Sequence, residues 1–379
     1  MNFFSRHPRA RWAAPVLAAA LTMGGVATAQ SSAGGQSDLA PRTAHDLLVD
    51  LQQARPTPLS GTVAQTMDLG LPDLSAGALS GGSRFAGKLN PLSLLSGSHS
   101  WRVWFADPTH ARLALVDGTD EYDVVRNGSD VWQWSSADAS VAHAKVPAEA
   151  ENPGDALSPA TRGTGAAGIP DLSNPDAVAT WALSQLDPTT AITSTRTDRV
   201  ARRSAYGLVL TPRTPGTRIG SVHLSLDADT SLPLAATVYP RGSTRPAVDV
   251  RFTTLTLARP APSVFEFTPP PGAMVTTEGR DDGPAPKTDR APVARPHVVG
   301  TGWSSVVVGQ LPAMSTTGTS RHAAADPMAV LRKVVPRATG DWGSGNLLTT
   351  RLFSVVVTDD GRVAAGAVDP SVLYAALAH

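Results

Sequence analysis

The chain has 379 residues, with 32 Lys and Arg balanced by 32 Asp and Glu, and no cysteine. Zero net charge without a block of one sign argues against binding driven by nucleic-acid phosphates. The missing thiols exclude disulfides, thiolate metal sites, cysteine nucleophiles and a lipid anchor on an N-terminal cysteine.

Arg6, Arg9 and Arg11 precede an apolar run over 12–29 that ends in Ala27-Thr28-Ala29. A charged start, an apolar middle and small residues spaced A-x-A describe a secretory signal peptide over 1–29, cleaved to leave Gln30 first. The alternative is an uncleaved anchor, since the run is at the lower edge of what spans a bilayer; Pro15, Gly24 and Gly25 weaken a stable spanning helix. The remaining chain is long enough for one large domain and a smaller one.

Past a Ser/Gly-rich leader, Leu47, Leu48, Leu51 and Ala54 recur at helical spacing behind Thr43, which predicts a capped helix over 44–54. Val63, Gln65 and Met67 alternate with small polar residues in a strand predicted over 60–69. Residues 70–98 are rich in Gly, Ser and Leu without periodicity. Strand patterns resume at 100–106, 111–117, 121–126 and 131–135, separated by Asp107-Pro108, Asp117-Gly118 and Asn127-Gly128. Residues 147–175 read as loop, and a second helix is predicted over 176–186, stopped by Pro188. A second meander is predicted at 192–200, 204–212, 218–227, 232–239 and 247–256. The charged, proline-rich stretch 278–296 has linker composition. Beyond it the predicted elements are a strand at 302–310, a helix at 326–335, strands at 347–358 and 363–368, and a short helix from Pro370. Helices and strands do not alternate as βαβ units, so the fold class is α+β with an antiparallel sheet.

Catalytic and metal motifs are absent from this pattern. His45, His99, His110, His143, His223, His297 and His322 are scattered without metal-ligand spacing. Asp227 and Asp229 lack the rest of a calcium loop and read as turn formers. Gly340–Gly345 is not preceded by a predicted strand, as a phosphate loop would be. The expectation is a protein without catalytic residues, metal or cofactor.

Four stretches carry a family resemblance. The helix 44–54 leads into Leu59-Ser60-Gly61-Thr62-Val63. Trp101-Arg102-Val103-Trp104-Phe105-Ala106-Asp107-Pro108 is followed by Ala111-Arg112-Leu113 and then by Asn127-Gly128-Ser129-Asp130-Val131-Trp132-Gln133-Trp134. Leu224-Ser225-Leu226-Asp227-Ala228-Asp229 continues through Thr230-Ser231-Leu232-Pro233-Leu234. The last is Phe265-Glu266-Phe267-Thr268-Pro269-Pro270-Pro271-Gly272-Ala273. In this order they resemble the outer-membrane lipoprotein carrier (LolA) superfamily in its actinobacterial form. That superfamily includes the lipid carriers LppX and LprG and the N-terminal domain of the envelope-stress regulator RseB.

The resemblance implies a curved, incompletely closed antiparallel β-barrel covered by helices, spanning 30–277. A linker over 278–296 and a smaller C-terminal α+β unit over 297–379 complete the expected layout. It also implies an apolar cavity for the acyl chains of a lipid or lipoprotein. Alternate residues of a barrel strand face inward, so Met67, Trp101, Val103, Phe105, Leu113, Leu115 and Val131 are the candidate lining. The same residues could equally be ordinary core. Leu71, Leu74, Leu79, Leu92 and Leu95 are candidates for a lid or mouth, the other reading being a weakly ordered insertion. The functional expectation is an exported, non-enzymatic carrier in the cell envelope. The alternative is an RseB-like sensor that binds a membrane-anchored anti-sigma factor.

Overall fold

The computed structural model describes residues 39–54, 56–71, 93–117, 120–146, 175–278, 296–310 and 335–378. The leader 1–29, most of the linker and residues 326–334 of the expected C-terminal helix lie outside them.

α1 (Ala44–Gln53) starts where Thr43 caps it. Its hydroxyl accepts from the Asp46 N–H, and the Asp46 carboxylate accepts from the Thr43 N–H in return, a reciprocal capping box. Leu47 and Leu51, one turn apart, are its buried stripe. α2 (Pro175–Ser184) buries Val178, Ala179, Ala182 and Leu183.

Between and after these helices run β1 (Leu59–Asp68), β2 (Ser96–Asp107), β3 (His110–Asp117), β4 (Asp120–Asn127), β5 (Asp130–Ser135) and β6 (Ser140–Lys145). The second meander is β7 (Ala191–Val200), β8 (Arg203–Thr211), β9 (Ile219–Asp227), β10 (Pro233–Pro240) and β11 (Val248–Thr256), followed by β12 (Met274–Glu278). They form one 12-stranded sheet in the order β12-β6-β5-β4-β3-β2-β1-β11-β10-β9-β8-β7. β1 is therefore the joint between the two meanders. Gly61 belongs there for a steric reason: a Cβ on it would stand 2.4 Å from the Thr254 carbonyl of β11, beside an irregularity in the β1–β11 register.

The sheet is mixed, and it is not closed into a barrel. The expected wholly antiparallel pairing fails at β12, which runs parallel to β6 with Met274 opposite Ser140. β6 and β12 are themselves additions to the predicted strands. The chain reaches β12 by crossing the sheet through the 3-10 turn Pro262–Phe265, where Phe265 buries against Ala106 and Val125 beside Trp104, Trp132 and Phe267. A crossing of that kind sets the incoming strand down in the same direction as its neighbour, where a hairpin would reverse it.

A six-stranded sheet comes next, in the order β13-β14-β18-β17-β16-β15. Its strands are β13 (His297–Val299), β14 (Val306–Gln310), β15 (Arg337–Gly340), β16 (Gly343–Thr349), β17 (Ser354–Thr358) and β18 (Arg362–Gly366). α3 (Pro370–Leu377) covers it with Leu373, Ala376 and Leu377. Two expectations are corrected here. The stretch 347–358 is not one strand: the Thr350 hydroxyl accepts from the Leu352 and Phe353 N–H groups and donates to the Phe353 carbonyl, which closes a turn between β16 and β17. Gly340–Gly345 does follow a strand, but it turns straight into another one, so no helix N-terminus faces it for a phosphate to use.

The two sheets share a core. Trp303, Leu352 and Phe353 belong to the same buried cluster as α1, α2, β1, β2 and β7–β11. Polar groups fasten the junction. Arg351 donates to the Asp68 and Arg245 carbonyls at 3.0 and 2.8 Å and pairs with the Asp68 carboxylate. Arg218 pairs with Asp369, and the Thr217 hydroxyl donates to the Ala367 carbonyl.

Candidate functional site

The face of β1–β3 that looks toward α1 and α2 is apolar because residues alternate along each strand. Met67, Trp101, Val103 and Leu115 are buried in the main cluster, with Phe105 and Leu113 partly buried against it. Val131 stands apart, in a small cluster with Val124 and Val146 that touches the first set only through Leu113 and Tyr122. Leu71, Leu94 and Leu95 pack partly buried on the main cluster from either end of the segment 72–92. Leu74, Leu79 and Leu92 fall outside the described residues.

Gln65 is the one polar side chain on this inward row, and sequence reasoning gave it no role. It is buried, accepts from the Trp101 indole N–H at 2.7 Å and donates to the Leu94 carbonyl at 3.1 Å. Three segments are thereby tied together: β1, β2 and the 3-10 turn Ser93–Leu95 that precedes β2. A glutamine in an inward row of Val63 and Met67 was the available signal, since a buried amide needs partners.

Most charged groups sit on the opposite face and around the turns; one exception is buried Arg126, opposite Val131 at the far edge of the inward face. Asp227, 1% exposed, accepts from Arg203 and from the backbone and hydroxyl of Thr230. Burial alone would raise its carboxyl, but these hydrogen bonds outweigh it and hold the group below the ordinary carboxylate range. Asp107 is lowered in the same way: Thr109, His110 and Arg259 overcome its partial burial. Asp123 goes the other way, because burial raises it despite its pairing with Arg112.

For Asp107 and Asp227 the folded pKa lies below the unfolded one. Their stabilisation is therefore complete above about pH 4 and lost as pH falls through the folded values. The melting temperature should hold from pH 7 to 5 and decline below about pH 4. Asp227→Asn should melt lower at pH 7 and lose less on acidification than the parent. A parent whose melting temperature rises below pH 4 would contradict this assignment.

Among the described residues no three His, Asp or Glu side chains gather as metal ligands, and no helix is long and apolar enough to cross a membrane. The arrangement offers an apolar face.

No family model and no curated protein matches the chain. Among solved structures it is similar to the Pseudomonas aeruginosa MucA/MucB complex, at 18% identity over 88% of this chain and 96% of that one, with a TM-score of 0.42. A crystal structure of MucB gives 19% identity, coverage of 87% and 94%, and a TM-score of 0.39. A LolA superfamily protein from Nitrosomonas europaea gives 12% identity, coverage of 60% and 99%, and a TM-score of 0.24.

Proposed function

We propose that the protein is an exported, non-enzymatic carrier or chaperone that holds the acyl chains of a lipid or lipoprotein. In this reading Met67, Trp101, Val103, Phe105, Leu113 and Leu115 form the lining, with Val131 at its far edge. Leu71, Leu74, Leu79, Leu92 and Leu95 form the mouth. The observation that supports it is the continuity of one apolar face from Trp101 and Val103 to Leu71, Leu94 and Leu95 at both ends of the segment 72–92.

The energetics need no chemistry and no cofactor. Each CH₂ withdrawn from water contributes ~0.8 kcal/mol, so a palmitoyl-length chain offers on the order of 10 kcal/mol before ordering costs. The Gln65 bridge from Trp101 to Leu94 is the polar contact that opening must break. Its two hydrogen bonds contribute a net of roughly 1 kcal/mol each. Ligand entry outweighs them.

Leu95→Asp tests the reading, since Leu95 is only partly buried and its replacement spares the centre of the core. A charge at the mouth should weaken binding of a fluorescent fatty acid by about tenfold or more, because an unpaired carboxylate beside methylenes is costly. The melting temperature should move by only a few degrees. Unchanged fatty-acid binding in Leu95→Asp would remove the mouth from the account.

A second reading, a sensor of envelope stress that binds a membrane-anchored anti-sigma factor, is favoured by the shared core between the two sheets. A unit joined through Trp303, Leu352 and Phe353 can feel a change in the face it closes. Either reading puts the protein beyond the cytoplasmic membrane, released if 1–29 is removed and membrane-held if it is kept. The proposed layout has a binding unit over 30–277, a linker over 278–296 and a smaller unit over 297–379.

A further inference from the structure

β7–β11 carry a second surface on the side away from α1 and α2. Strand alternation puts Thr195, Gly207, Ser225, Ala235 and Arg251 in one register row across all five strands. The adjacent row holds Val209, His223 and Thr237. Together with Arg199 these residues line a groove of about 420 Å³. β7 bends back to approach β11 although three strands lie between them. Gly207, Ser225 and Ala235 keep the floor free of bulky side chains where the strands curl. A space of this volume falls in the range of small-molecule sites, roughly 300–1,000 Å³.

The chemistry of the lining is one-sided. Arg199 comes from one bounding strand and Arg251 from the other, while the hydroxyls of Thr195, Ser225 and Thr237 come from the strands between and beside them. No carboxylate is among the lining residues. Asp249 lies beside Arg251 and accepts from its Nε at 2.8 Å and from one terminal nitrogen at 2.5 Å, a two-point ion pair that fixes the guanidinium and leaves its remaining N–H groups for a ligand. Even with Asp249 counted, two guanidiniums against one acid leave the groove cationic among the described residues. His223 adds a donor or acceptor held by the Ser221 hydroxyl at 3.0 Å and by the Tyr239 ring at 4.7 Å.

We propose that this groove binds a small oxyanion group, a phosphate ester or phosphate itself, gripped between Arg199 and Arg251 with hydroxyl donors between them. Guanidiniums suit this role because their planar forks match phosphate oxygens. The site is independent of the acyl-chain face, which lies on different strands, β1–β3, and on the opposite side of the sheet. Phosphate could arrive as a lipid headgroup or as a free soluble compound, and the two sources are separable.

The test is calorimetric titration of the purified full chain with inorganic phosphate and with glycerol phosphate. Flotation with phosphatidylglycerol vesicles is run beside it, with phosphatidylcholine vesicles as the reference. Arg199→Gln and Arg251→Gln should each weaken phosphate binding by about tenfold or more. Arg102→Gln, an exposed arginine on β2 outside the groove, should not. Both groove arginines are exposed, so the melting temperature checks that each variant folds. Binding to phosphatidylglycerol vesicles that is lost in the same two variants identifies a headgroup. Binding to the soluble phosphates alone identifies a free ligand. Phosphate binding that survives in the double variant Arg199→Gln/Arg251→Gln, or no binding to any of these probes, would overturn the proposal.

Discussion

Trp303→Ala is expected to destabilise the protein by about 3–5 kcal/mol, the range for deleting a fully buried tryptophan from a packed core. Trp303 is 1% exposed, meets Trp181 of α2 edge to face at a centroid distance of 5.6 Å and donates its indole N–H to the Thr190 hydroxyl at 2.8 Å. Removing it opens a cavity at the junction of the two sheets. The Thr190 hydroxyl still donates to the Asp187 carboxylate at 3.1 Å and accepts from the Asp187 N–H at 3.4 Å, so most of the loss is packing. Two observables separate a joint from an ordinary core position. Chemical denaturation should show a lower midpoint, and limited proteolysis should release the C-terminal unit more readily than from the parent. A variant with the parental midpoint would mean that Trp303 is not part of a shared core.

Val103→Asp is expected to cost several kcal/mol and to abolish the cooperative transition. Val103 is 0% exposed and lies in the main cluster, so its replacement places an unpaired carboxylate among methyl groups. Such a group either ionises at great cost or stays protonated with unmade hydrogen bonds. Losses above about 4 kcal/mol are typical of an unpaired buried charge. Val103→Ala separates charge from volume: it should cost only about 2 kcal/mol and keep the transition. If Val103→Asp melts cooperatively near the parental temperature, water reaches Val103, and the face of β1–β3 is an open pocket in the free protein.

Much of the large sheet was legible because most of its strands have one face in the core. Val63, Gln65 and Met67, or Val222, Leu224 and Leu226, announce period two directly. The strands that escaped notice lack that contrast. β6 is Ser140-Val141-Ala142-His143-Ala144-Lys145, mostly small residues, and it is held by pairing with β5 and by stacking of His143 on Trp132. β12 is a parallel neighbour of β6 reached from more than a hundred residues away, and it leaves Met274 and Val275 largely exposed. The turn at 350–353 has neither glycine nor proline and is made by one threonine hydroxyl.

The candidate site was legible to a similar depth. Period two assigned Trp101, Val103, Met67 and Val131 to a common face, but it could not tell that Val131, three strands on from Phe105, packs in a separate small cluster. The joint between the sheets left no local pattern. Arg351 and Asp68 are 283 positions apart, and Trp303 and Thr190 are 113 apart. Local periodicity carries no information about contacts at such separations. The groove under Arg199 and Arg251 was equally silent, because it depends on register across five strands and on a curl permitted by Gly207, Ser225 and Ala235.

The most direct test of the proposed function is native mass spectrometry of the protein purified from the cell envelope without detergent exchange. Lipid or acylated peptide bound to the face of β1–β3 should appear as a discrete added mass. That mass should disappear in Leu95→Asp and persist in Arg102→Gln, whose side chain is on the opposite face. A ligand-free mass for the parent, with a single-pass membrane protein recovered beside it in stable complex, would contradict the carrier reading and favour the sensor.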